Sequence, residues 1–224
     1  MDAPAPQTGD VVLFSGRGWV SRSIRWRTWS PYSHCGLVCW VTHEDVDAVA
    51  RMSSPSWFDR TEYLHDWLGL GKWLIFESTT QAELPCAITG EYCQGVQAHE
   101  LQVRVDRYDG PVYVLPWLER FKLCDQEQST FPLNLLTRIG TPYDPAGAGL
   151  LGSCVLKHVW PHDASDRSSV FCSEFVSRQI GHIGTGRLPI QSPSRGTPGG
   201  LYRTLTKTER VSRPVEIPKT KCVA

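Results

Sequence analysis

An α+β fold on a single core is what this sequence predicts, and three observations carry the prediction. Short β-branched and aromatic runs of strand length recur through the first half of the chain. One stretch, "SSVFCSEFVSRQIGHIG", places its apolar residues at helical spacing. The 224 residues, 41% of them apolar and nine of them tryptophan, are enough to bury one substantial core, and no linker-like stretch divides them.

Along the chain, "TGDVVLFSG" (Thr8 to Gly16) reads as a strand closed by a Ser-Gly turn, and "RGWVSRSIRWRTWS" as a helix. "SHCGLVCWV" is the next strand. The polar, mixed stretch from Thr42 to Gly71 reads as helical or irregular pieces over the sheet. "KWLIFEST" (Lys72 to Thr79) is a third strand, and "GVQAHELQVRVDRY" and "GPVYVLP" are two more. Helices are expected through "PWLERFKLCDQEQ" and through "FPLNLLTRIGTPYD", the second ending at Gly140 and Pro142. "PAGAGLLGS" is a loop entering a further helical piece. In "SSVFCSEFVSRQIGHIG", Cys172, Phe175, Val176 and Ile180 share a face, Ser168 or Ser169 offers an N-cap, and Gly181 offers the C-terminal stop. Residues 1–205 are read as one domain with an insertion at about 42–71, and 206–224 as a flexible tail.

Charge and cysteines narrow the function classes. Lysine and arginine total 23 and aspartate and glutamate 23, so no net field draws the chain to nucleic acid or membrane, and any basic partner surface must be local. The opening "MDAPAPQTGD" lacks the basic flank and apolar run of an export signal, and no segment reaches the roughly 20 apolar residues of a membrane span. A cytosolic chain, or one released by a route other than standard export, is expected. The eight cysteines then read as reduced thiols, most of them small core hydrophobes.

Strand alternation sorts "SPYSHCGLVCWV" into two faces, with Cys35, Leu37, Cys39 and Val41 on one and His34, Gly36, Val38 and Trp40 on the other. The first is an apolar core face. His34 and the two thiols therefore point oppositely, and a CxxxC without a second pair is a poor zinc signature, so no metal or cofactor is implied. His34 stays open between a core histidine satisfied by backbone and a catalytic base. Gly36, without a side chain, leaves room beside the imidazole, and Ser33 and Gly36 are taken as substrate contacts.

The same alternation puts Glu77 on the face of Trp73 and Ile75, where a carboxylate either has a partner, such as a histidine on a neighbouring strand, or sits at the strand's exposed end. Cys172 falls in the first turn of the strongest helix, where free N–H groups and the aligned peptide dipoles favour a thiolate. His182 lies too far along that helix to serve it, at about 15 Å. His158 and His162 flank Pro161, which breaks the helix that a zinc-protease pair would need. The tryptophans and arginines of "RGWVSRSIRWRTWS" fit either an amphipathic helix packing its tryptophans or a site for nucleic acid or anionic glycan.

Taken together, "GDVVLFSG", "TWSPYSHCGLV", "FEST", "GTPYD", "SSVFCSEFVSRQI" and "TPGGLYRTL" resemble the permuted papain-like cysteine peptidases of the YiiX type, relatives of the NlpC-type cell-wall peptidases. The resemblance implies a circularly permuted papain-like (NlpC-type) fold, with an antiparallel sheet packed against the nucleophile helix. It implies Cys172 as nucleophile, His34 as base, Glu77 as the residue that orients the histidine, and Tyr143 as a residue lining the site. The insertion at 42–71, with Trp57 and Trp67, is expected to wall the cleft.

The function that follows is a cysteine amidase or peptidase acting on peptidoglycan-type bonds through a thioester. The alternatives are an acyltransferase or thioesterase of the lecithin:retinol acyltransferase kind and a non-catalytic module with the same fold. A phage-borne protein would reconcile a cell-wall substrate with the missing export signal.

Overall fold

Six strands form one antiparallel sheet in the order β4-β3-β2-β1-β5-β6. They are β1 (Val11–Phe14), β2 (His34–Val41), β3 (Lys72–Thr79), β4 (Gly95–Glu100), β5 (Val112–Leu115) and β6 (Val215–Glu216). The structure, a computed structural model, describes residues 5–80, 83–144, 170–181 and 196–220. Seven α-helices accompany the sheet among the described residues: α1 (Trp19–Thr28), α2 (His43–Ser53), α3 (Thr61–Leu68), α4 (Leu101–Arg107), α5 (Asp125–Leu136), α6 (Cys172–Gly181) and α7 (Pro198–Lys207).

Alternation along β2 divides the core as its residues dictate. Cys35, Leu37, Cys39 and Val41 join the larger cluster with Phe76, Phe131, Phe175, Val176 and Leu201 beneath α5, α6 and α7. Val38 faces the other way, with Val12, Phe14, Ile75, Leu101 and Val105 beneath α4. The six cysteines among the described residues are free thiols.

Three elements depart from the sequence-based expectation. "LQVRVDR" alternates like a strand but folds as α4, because Leu101, Arg104, Val105 and Tyr108, three and four residues apart, are its buried set. The residues from Pro116 to Lys122 form only a short 3₁₀ turn, since Leu118 N–H donates to Arg210 O at 2.9 Å and Trp117 bridges Val211. Helix α5 starts instead at Asp125, capped by Glu127, whose carboxylate accepts the Cys124 N–H at 3.0 Å. Beyond Thr206 the segment expected as a tail carries the end of α7 and then β6, where Val215 pairs with Val114. The glycine-rich stretch after Asp144, the serines at 168 and 169, and His158, His162 and His182 lie outside the described residues.

Candidate active site

Two element starts meet at one end of the sheet. His34 opens β2 opposite Phe14, and Cys172 opens α6, where Phe175 N–H donates the first helical bond to Phe171 O at 2.8 Å. Phe171 therefore directly precedes the helix, and the Cys172 thiol sits where backbone N–H groups are unspent. The chain leading in is held on both sides. Ser78 Oγ donates to Val170 O at 2.6 Å, and Val170 N–H donates to Pro142 O at 2.9 Å. The Pro142 segment closes on β4 at Gly95, whose φ is +119° and where a Cβ would lie 2.1 Å from Thr141 O.

His34 lies between an acid and a thiol. Its Nε2 meets Glu77 Oε2 at 2.5 Å, and the Cys172 thiol is its second electrostatic partner. Glu77 is 0% exposed and is held from α4: Arg104 Nε donates to its Oε1 at 2.5 Å, and the Arg104 guanidinium reaches Oε2 at 3.3 Å. His99 Nε2 stands 3.7 Å from Oε1. The His34 ring itself packs 5.1 Å from the Phe14 ring and is 15% exposed, on the side that opens to solvent.

The electrostatics follow from these contacts. A hydrogen bond from Cys35 holds the Cys172 thiol well below the ordinary thiol range; burial opposes this, and His34 reinforces it. Burial disfavours the charged His34, yet Cys172 and Glu77 outweigh it and raise the imidazole to about 9. Burial likewise disfavours ionised Glu77, but Arg104 and His34 bring the carboxyl below its usual range. Burial keeps His99 below the ordinary histidine range. The favoured state is thus a thiolate–imidazolium pair backed by a carboxylate.

No family model matches the chain, and no curated protein does. Among solved structures, the crystal structure of the metalloprotein yiiX from Escherichia coli O157:H7 matches with a TM-score of 0.52, over 96% of this chain and 98% of that one. The fold is YiiX-like. At 14% identity the likeness is one of fold alone. Among the described residues no three His, Cys, Asp or Glu side chains are grouped to hold an ion. Both oxygens of Glu77 are already engaged by the Arg104 guanidinium, and Oε2 also by His34.

A cleft of about 230 Å³ opens over His34 and Cys172, lined also by Ser33, Tyr143 and Phe171. Of the residues expected in the site, His34 and Glu77 are hydrogen-bonded and Cys172 shares the cleft with His34, which Tyr143 and Ser33 also line. Gly36 is not part of it. A Cβ there would meet Phe76 O at 2.8 Å and the Ile75 side chain at 3.1 Å, so the glycine admits β3 and not a substrate. The 42–71 insertion contributes no lining residue; the walls come from α1, through Val20, Ile24 and Thr28, and from the start of α7, through Thr197 and Pro198.

Several functional neighbours escaped the sequence reading. Arg104 and His99 were hidden by taking 95–108 as one strand, although a buried carboxylate called for a cation somewhere. Cys35 does belong to the core face, as alternation predicts, but that core includes the Cys172 thiol. Ser78, next to Glu77, carries the backbone leading into α6.

Proposed function

We propose that the chain is a cysteine hydrolase, an amidase or peptidase of the permuted papain-like kind, acting on peptide or amide bonds of the peptidoglycan type. The observation that carries this reading is His34, hydrogen-bonded through Nε2 to Glu77 and electrostatically coupled to Cys172. A histidine so held has one tautomer and one orientation, which is what a proton carrier between nucleophile and leaving group requires.

In this reading the Cys172 thiolate attacks the carbonyl carbon and the carbonyl electrons move to oxygen. Backbone N–H groups at the start of α6 receive the oxyanion. The C–N bond breaks as the amine leaves with the proton of the His34 imidazolium, and a thioester remains. Neutral His34 then takes a proton from water, the hydroxide adds to the thioester, and the acid departs, restoring thiolate and imidazolium. Glu77 stays ionised throughout, oriented by Arg104. No step in this reading runs through a metal.

The cleft supports a second acceptor or acyl group as well. Its walls include the apolar Val20, Ile24, Phe171 and Pro198, and among the described residues no acid lines it. This favours, as a second reading, transfer of a lipid acyl group through the same thioester. Incubation with a peptidoglycan digest and, separately, with acyl-lipid esters, followed by intact-mass detection of a hydroxylamine-sensitive adduct on Cys172, separates the two. An adduct from the digest supports the amidase, and one only from the esters supports the acyl-lipid enzyme. No adduct from either, with Cys172 free and the protein folded, contradicts both.

A further inference from the structure

Of the two readings open for the α1 stretch, packing of its tryptophans is not what the helix does. It has no buried residue at all. Ser21, Ile24, Arg25 and Thr28, spaced i, i+3, i+4 and i+7, are the partly buried face turned to the protein. Trp19, Arg22, Trp26 and Trp29, spaced i, i+3, i+7 and i+10, form the opposite face, and the three indoles are 82%, 74% and 87% exposed. Trp29 stands outside the helix end in a left-handed conformation at φ 49°, with its N–H returned to the carbonyls of Arg25 and Trp26. From β1 to the start of α2, residues 11–43 hold Arg17, Arg22, Arg25 and Arg27 and no acid, in a chain whose total charge is zero. Arg203 of α7 adds a further cation at that end, donating to Thr28 O at 3.1 Å.

We propose that this face of α1 docks on an anionic lipid bilayer surface. Indole rings, apolar in body with one N–H, settle at the headgroup level, and arginines interleaved with them complement anionic lipids. The face lacks the carboxylates that commonly receive sugar hydroxyls. Because the flank of α1 also walls the cleft, docking sets the mouth of the cleft beside the membrane. No helix among the described residues is long and apolar enough to cross a membrane, so the contact is peripheral. The proposal holds whatever chemistry Cys172 performs, and its test reads binding alone.

Flotation with vesicles of phosphatidylcholine alone and with about one third phosphatidylserine measures it, using the full chain, W19A/W26A/W29A and R17Q/R22Q. Binding is expected only to the anionic vesicles, with a blue shift of tryptophan emission. The arginine variant loses roughly fivefold per residue, and the tryptophan variant binds at least ~10-fold more weakly, while circular dichroism stays that of the parent. If the tryptophan variant unfolds, the single variant Trp26→Ser and collisional quenching of the wild-type indoles by brominated lipid give the same readout. Absence of binding to anionic vesicles overturns the proposal. So does equal binding by the folded variants, or binding of a single-stranded oligonucleotide or heparin in place of vesicles.

Discussion

Arg104 of α4 donates through Nε to Glu77 Oε1 at 2.5 Å, at a point where neither side chain meets solvent. The guanidinium also lies 5.3 Å from the centre of the Phe14 ring and 5.2 Å from that of Tyr108, so it rests against this aromatic pair as it holds the acid. Two long-range elements, β3 and α4, are tied by this pair directly beneath His34.

Removing one member should therefore cost more than a surface ion pair would. Arg104→Met leaves Glu77 buried without its cation and lowers stability by about 3–5 kcal/mol in urea unfolding. The double variant Glu77→Gln with Arg104→Met costs clearly less than the sum of the two single changes. Additive losses would mean that the two side chains are not coupled.

Stability should fall on the acid side because of the same carboxyl. Glu77 titrates below its ordinary value in the folded chain, so its contribution is present above the unfolded value near 4.5 and is lost as pH falls below it. Urea midpoints for the wild type should drop more steeply between pH 5 and pH 3 than those of Glu77→Gln. Parallel curves would show that Glu77 is not held as an anion.

The two arms of the catalytic pair predict different behaviour at high pH. Alkylation of Cys172 needs only the thiolate and should not weaken as His34 loses its proton. Hydrolysis needs the imidazolium proton for the leaving amine and should decline as pH passes about 9. Rates that fall together would assign the high-pH limb to something other than His34.

Gly95 offers a test away from the reacting groups. With φ at +119° and Thr141 O where a Cβ would go, Gly95→Ala should cost about 1–3 kcal/mol and shift the Pro142–Asp144 segment that supports Val170. Slower alkylation of Cys172 in the folded variant would confirm that this segment positions the helix start. Wild-type reactivity would remove it from that role.

Much of the site was legible because period 2 and helix ends are local properties. Alternation separated His34 from the core face of β2 and put Glu77 on the face of Ile75, and helical spacing singled out Cys172 as the thiol that opens a helix. What was not legible depends on the third dimension. "LQVRVDR" satisfies both periods over seven residues, and only the buried face under α4 selects the helix, so Arg104 went unassigned. Gly36 signals close approach, but its sequence does not say whether a substrate or a neighbouring strand approaches. The tryptophans of α1 have the composition of a core, and only their position on an unpartnered face shows that they point outward.

The central claim is a depressed-pKa nucleophile at Cys172. Brief iodoacetamide treatment of the folded protein at pH 6, followed by peptide mapping, tests it most directly, because an ordinary thiol is almost wholly protonated there. One carbamidomethyl group on Cys172, absent in Cys172→Ala and strongly reduced in His34→Ala, is the predicted result. Modification that ignores Cys172, or proceeds equally in Cys172→Ala, would contradict it.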